Sequence, residues 1–208
     1  FSLPNSFELD RDTVGVFAEA QAEPLAGLTV LGSVRHDDAD GADAETTSRL
    51  GVIYAMSGGV TELRANWGQG FKLPSFFALG SPLVGNPDLR PETSESFDVG
   101  MSRSVAEGRG WVGLTYFDNE FEDLIDFDPE LFLEVNREDV QTSGVEFEGT
   151  FEPGATLGLR AHVTYVDYDI PSGADPLRQR PEWRGGLDLS WRPRASLSVT
   201  VAWLYVGE

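Results

Sequence analysis

Val145-Glu-Phe-Glu-Gly-Thr-Phe-Glu152, then Pro153-Gly-Ala-Thr156, then Leu157-Gly-Leu-Arg-Ala-His-Val-Thr-Tyr165 is the stretch that decides the fold. Val145, Phe147, Gly149 and Phe151 alternate with Glu146, Glu148, Thr150 and Glu152. After a Pro-Gly break, Leu157, Leu159, Ala161, Val163 and Tyr165 alternate with Gly158, Arg160, His162 and Thr164. A period of two means a strand with one apolar and one polar face. Two such runs across a short break make an antiparallel pair.

The same period recurs outward in both directions. It is present at Val14–Gln21, Leu28–Arg35, Leu50–Tyr54, Leu63–Trp67, Phe97–Met101, Val112–Tyr116, Leu187–Arg192 and Leu197–Tyr205. That gives about ten strands at about 20 residues per strand and connection, too wide a spacing for a sandwich, whose turns come every 8–12 residues. The connections alternate in length. Residues 24–27, 57–59, 106–110, 153–155 and 193–195 read as short turns. Residues 37–48, 71–94, 122–133 and 169–182 read as long loops. Short turns on one rim and long loops on the other are the pattern of an outer-membrane barrel. The apolar stripe has large residues in almost every strand and no second layer to cover it, so it requires lipid or a partner. Trp67, Trp183, Trp191, Trp203 and Tyr205 lie beside predicted loops, where interfacial girdles fall. The fold class is therefore all-β: an antiparallel up-and-down transmembrane β-barrel segment of about ten strands, open and curved in this chain.

Composition removes several functions. The 208 residues carry Lys+Arg 15 against Asp+Glu 35, a net charge of −20. That argues against nucleic acid, which needs a basic face. There is no cysteine, hence no disulfide or thiolate site, and the two histidines, His36 and His162, lie far apart. No apolar run approaches the roughly 20 residues of a transmembrane helix. No nucleophile elbow or phosphate-cradling loop is present, so an enzyme is not expected. The chain opens on Phe1 without Met or a cleavable leader, which reads as a piece of a longer precursor.

Between Trp67 and Gly100 the sequence runs Gly70-Phe71-Lys72-Leu73-Pro74-Ser75, then Gly85-Asn86-Pro87-Asp88-Leu89-Arg90-Pro91-Glu92. Pro74, Pro82, Pro87 and Pro91 stop the ladder and impose turns. This segment resembles the β-barrel domain of TonB-dependent outer-membrane receptors, in which G-F-K-x-P-S leads to G-N-P-x-L-x-P-E and a new strand. Thr115-Tyr-Phe-Asp118, Asp123-Leu-Ile-Asp126, Val135-Asn136, Gly144-Val-Glu146 with Glu148, Arg180-Pro181 and Tyr205-Val-Gly-Glu208 follow in that family's order. The resemblance implies a barrel of about 22 strands around a plugged lumen. Ten strands are about half of it, so the expected content of 1–208 is a partial barrel domain, with the plug domain and the C-terminal strands outside it. It further implies energy-coupled uptake of a ferric siderophore or cobalamin across the bacterial outer membrane. The partners would be outer-membrane lipid, the small ligand, and TonB acting through the plug. The Asp123-Leu-Ile-Asp126 and Gly144-Val-Glu146 patterns lean to the vitamin B12 type. A passive porin and a soluble all-β binding domain are the rivals.

Two loops hold the candidate binding residues. Asp37, Asp38, Asp40 and Asp43, in the acidic stretch 37–45 around Gly41, place alternate carboxylates that can wrap a hard cation such as Ca²⁺. They lack the full twelve-residue loop with its closing Glu, and a solvated acidic loop tip is the plainer reading. Otherwise no cofactor is expected. Asp126, Phe127, Asp128 and Phe132, with Phe76 and Phe77 of the preceding long loop, are candidates for touching a ligand at the outer mouth, because loops on a rigid scaffold carry recognition. Mutual packing of these loops is the alternative.

Overall fold

The structure, a computed structural model, describes residues 7–137, 139–169 and 181–207. Ten strands form one antiparallel sheet: β1 (Thr13–Leu25), β2 (Leu28–Ala39), β3 (Glu45–Met56), β4 (Thr61–Lys72), β5 (Glu92–Val105), β6 (Gly110–Glu122), β9 (Val140–Gly154), β10 (Leu157–Asp169), β11 (Trp183–Arg194) and β12 (Leu197–Val206). Each pairs with its neighbour in the chain, save that β6 pairs with β9 across a separate two-stranded hairpin, β7 (Ile125–Asp128) and β8 (Leu133–Asn136). A one-turn helix, α1 (Phe76–Gly80), sits in the connection from β4 to β5. Among the described residues β1 pairs only with β2 and β12 only with β11, so the sheet is open.

The register carries the alternation of the sequence across the whole sheet. Directly paired residues share a face, so Leu159, Leu189 and Val201 fall in one apolar row, and Ala161, Leu187 and Trp203 in the next. Arg160 pairs with Asp188, and Asp188 with Ala202, on the opposite face. There Arg64 donates to Thr115 Oγ1 at 2.7 Å and Asn66 to Asp98 at 2.9 Å, a polar lining knitted across strands. Gly144 is required on this face. A Cβ there would meet Phe117 Cζ at 2.5 Å and the Tyr165 carbonyl still closer.

Nothing among the described residues covers the apolar face. Leu50, Leu114 and Val201 are 50 %, 50 % and 57 % exposed. The only buried apolar side chains among the described residues, proline aside, are Ala39, Ala78, Leu89 and Val140. The accessible surface is 14381 Å², whereas a water-soluble monomer of this mass exposes about 9,500 Å². A soluble all-β domain does not fit that excess.

Nine of the ten sheet strands are longer than the roughly 9–11 residues that cross a bilayer, reaching 15 in β9, while β12 has 10. The surplus lies on the loop side. Along the outward face Val34 gives way to His36, Trp67 to Gln69, Tyr116 to Asp118 and Tyr165 to Asp167. One cross-strand row runs Leu50, Trp67, Phe97, Asp118, Ser143, Asp167, apolar at one end and polar at the other. The bilayer boundary thus crosses the rows obliquely, as strands tilted by about 35–45° require. This corrects two expectations. Residues 37–48 are not a long loop: Asp37 pairs with Glu45 and His36 with Thr46, leaving only 40–44 as the connection. A charged sequence still forms a ladder when its strand stands above the lipid and its backbone groups meet a neighbouring strand. Trp67 likewise lies within β4 rather than at its end, where the apolar face stops. The loop expected at 169–182 lies, apart from its ends, outside the described residues.

Antiparallel neighbours in chain order place the turns at 26–27, 57–60, 106–109, 155–156 and 195–196 on one rim and the connections at 40–44, 73–91 and 123–139 on the other. The chain has no cysteine, so accessibility reads this out. In intact cells, a membrane-impermeant maleimide is expected to label Asp88→Cys and to spare Ala155→Cys. Equal labelling of the two contradicts the topology.

Candidate functional site at the loop rim

The buried apolar residues gather where the loops pack. In the connection from β4 to β5, Ser75 Oγ caps α1 by accepting from the Ala78 N–H at 3.1 Å. The chain then folds back over the helix, with Gly85 N–H donating to Ser81 O at 2.8 Å and Asn86 N–H to Ala78 O at 2.7 Å. Only glycine fits at 85, since a Cβ would lie 2.5 Å from Ser81 N and 2.7 Å from Ser81 O. Asn86 Oδ1 accepts from the Asp88 N–H at 3.0 Å, turning the chain toward β5.

This loop is tied to the β7–β8 hairpin at three levels. Asn86 Nδ2 donates to Glu134 O at 2.9 Å, and Glu134 N–H to Val84 O at 2.8 Å. Asn136 Oδ1 accepts from Arg90 N–H at 2.9 Å, and Asn136 Nδ2 donates to Arg90 O at 3.0 Å and Asp123 O at 2.7 Å. The Arg90 guanidinium pairs with the Asp123 carboxylate. At the base Glu92, 9 % exposed, accepts from Ile125 N–H at 3.0 Å and from Lys72 at 2.9 Å. The sequence motif thus does structural work: Asn86, Leu89, Glu92 and Asn136 are loop-packing residues. Sequence reading quoted these residues within the family's motifs and gave them no role of their own. The motif spacing was their signal.

Four of the six expected ligand-contact residues come together on the hairpin. Asp126 pairs with Arg137 at 2.7 Å, and Asp128 Oδ1 closes the tip by accepting from Glu130 N–H at 2.8 Å and Leu131 N–H at 3.0 Å. Phe127 and Phe132 meet edge to face, centroids 5.4 Å apart. Phe132 has φ 54, a left-handed conformation uncommon for a bulky residue, and is 58 % exposed. Phe76 and Phe77 lie apart, on α1. The Arg11 guanidinium stands 5.4 Å from the centre of the Phe76 ring and donates to Pro74 O, while Phe77 is exposed. A cleft of about 650 Å³ opens beside α1, lined in part by Leu9, Arg11, Asp43, Leu79, Leu89 and Arg90.

The acidic tip is not gathered into a cation cage. Asp37 is 4 % exposed in β2 and takes both bonds of the Arg35 guanidinium at 2.6 Å. Asp38 follows on the opposite face, and Asp40 and Asp43 lie in the connecting turn. No cluster of three or more acidic or histidine side chains among the described residues is placed to hold a metal ion.

The hairpin should have its own pH window. The N–H groups of Leu131 and Glu130 hold the Asp128 carboxyl below its ordinary range. Its contribution is present above that range and is lost as pH falls through the depressed value. Burial, then Asp126, pushes the Glu134 carboxyl up. That contribution is complete below the ordinary glutamate value and is lost as pH rises through the raised one. The amides of Glu130 and Leu131 should therefore be best protected in mildly acidic buffer, by hydrogen exchange corrected for intrinsic rate. Glu134→Gln should raise their protection at neutral pH, and no gain there means that Glu134 does not set the alkaline side.

An open wall of tilted antiparallel strands, apolar outside, polar inside, with packed loops on one rim, defines a segment of an outer-membrane β-barrel. The sequence pattern of the family described as "TonB dependent receptor-like, beta-barrel" matches residues 2–208, and the chain belongs to that family. The family is one of outer-membrane transport receptors of Gram-negative bacteria, and a passive porin is not favoured. The chain is 35 % identical over 131 residues to the vitamin B12 transporter BtuB of Vibrio vulnificus strain YJ016, covering 61 % of this chain and 21 % of that protein. It is 29 % identical over 203 residues to the protein of the same name from strain CMCP6, covering 95 % and 31 %. Its fold matches that of a point mutant of the ferric enterobactin receptor PfeA from Pseudomonas aeruginosa in complex with enterobactin. The TM-score is 0.81 at 20 % identity, over 95 % of this chain and 33 % of that one. The chain spans a third or less of the length of these proteins.

Proposed function

We propose that this chain is barrel wall and outer loop of a receptor that takes up cobalamin across the outer membrane, driven by TonB through a plug domain. The observation that carries the cargo is the 35 % identity to a protein named as a vitamin B12 transporter. The likeness to the enterobactin receptor speaks for fold alone, which leaves a ferric siderophore as the competing cargo. In this reading the lipid-facing residues hold the wall in the membrane. The packed loops, with Phe127, Phe132, Phe76 and Phe77, stand at the mouth where ligand is first met.

The test is uptake by cells that lack their own cobalamin and enterobactin receptors and express the intact gene. Saturable uptake of labelled cyanocobalamin that disappears when TonB is deleted is the expected result. Saturable uptake of ferric enterobactin instead reassigns the cargo. Non-saturable entry that is indifferent to TonB overturns the receptor reading in favour of a channel.

A further inference from the structure

We propose that Asn136 is a positioning residue that locks residues 73–91 and the β7–β8 hairpin into one preformed platform at the outer mouth. The inference rests on the receptor reading and adds how the mouth is kept ready.

All three side-chain bonds of Asn136 go to backbone, two to Arg90 and one to Asp123, so a single amide bridges the start of β5 and the start of the hairpin. Asn136 and Arg90 exchange donor and acceptor as two paired strand residues do, although Arg90 belongs to no strand. The tie at Asn86, Val84 and Glu134 acts on the far side of the same loop, and the Glu92–Ile125 bond acts at its base. Three ties at separate points resist both hinging and sliding. Pro82, Pro87 and Pro91 further limit what the loop can sample when released. A platform ordered before ligand arrives does not spend binding energy on ordering. If it is formed only a fraction of the time, the apparent dissociation constant rises by the inverse of that fraction.

The experiment uses the intact receptor, as wild type, Asn136→Ala and Asn136→Asp; the aspartate keeps the acceptor for Arg90 N–H and removes both donors. Glu130→Ala, an exposed change on the same hairpin, is the control. Hydrogen exchange without ligand comes first. In both Asn136 variants the amides of Arg90, Glu134 and Asn86 should lose protection together, by about tenfold or more, while those of β10 stay as in wild type. Glu134 and Asn86 N–H do not touch Asn136, so loss confined to Arg90, or no loss, overturns the clasp.

Binding of cyanocobalamin and of ferric enterobactin is measured next. The probe that wild type binds should bind the Asn136 variants about tenfold or more weakly, mainly through slower association, with Glu130→Ala unchanged. Unchanged affinity on a loosened platform overturns the functional half. Wild type that binds neither probe overturns the receptor's assigned cargo and with it the affinity half, and the exchange pattern still decides the clasp.

Discussion

Reconstituted by itself into liposomes, the 208-residue chain is expected to give neither saturable uptake nor a stable conductance, and its edge strands should show little amide protection. The reason lies at β1 and β12. Among the described residues each is paired on one side only. Their free edges carry rows of N–H and C=O groups with no water to receive them in hydrocarbon, at a cost of several kcal/mol for each group left unpaired. A few such groups exceed the roughly 5–15 kcal/mol by which a folded domain is stable. The bare apolar face adds an aggregation hazard outside lipid. Strands that tilt and register for a wide barrel cannot close as ten without a new tilt and shear. Strong protection of amides in both edge strands, or saturable uptake by the isolated chain, would falsify this account.

In the intact receptor, Leu187→Arg should destabilise the barrel by about 2–4 kcal/mol, the cost of a guanidinium near the bilayer midplane. Leu187 stands on the outward face between Ala161 and Trp203, midway along β11 between Trp183 and Trp191. Leu189→Arg, one outward position nearer the short-turn rim, should cost less. Ser190→Arg should cost little, because Ser190 pairs with Thr200 and Gly158 on the polar face. The comparison is made by denaturant titration of folding into lipid. A single size of effect at all three sites would mean that the faces are misassigned. A larger effect at 189 than at 187 would move the midplane toward the short turns.

The strand content was legible because a period of two survives in the sequence without any tertiary contact. Val145–Tyr165 reads as two strands and folds as two. The loop 37–48 was misjudged because charge was taken as a sign of irregular backbone. Backbone pairing carries the ladder through it, with Asp37 turned to Arg35 on one face and Asp38 to the other. Phe127, Phe132, Asp126 and Asp128 were recognised as one loop, and a hairpin brings them together. The partners of Asn86 and Asn136 could not be found by reading along the chain. Asn86 bonds Glu134 O, 48 positions away, and Asn136 bonds Arg90, 46 positions away, through backbone atoms that carry no side-chain signature.

Sequence alone determined the all-β class, the division of each strand into an outward apolar and an inward polar side, and the family, because these follow from local period and motif. Tertiary structure alone decided where the membrane ends on each strand, since the boundary cuts obliquely across rows whose register is set only by pairing. It decided also how the acidic stretch is divided, with Asp37 and Asp38 in the ladder of β2 and Asp40 and Asp43 in the turn. It decided finally that the outer rim is held by a side-chain clasp, because a hydrogen bond between distant loops exists only once the strands beneath them have set the distance.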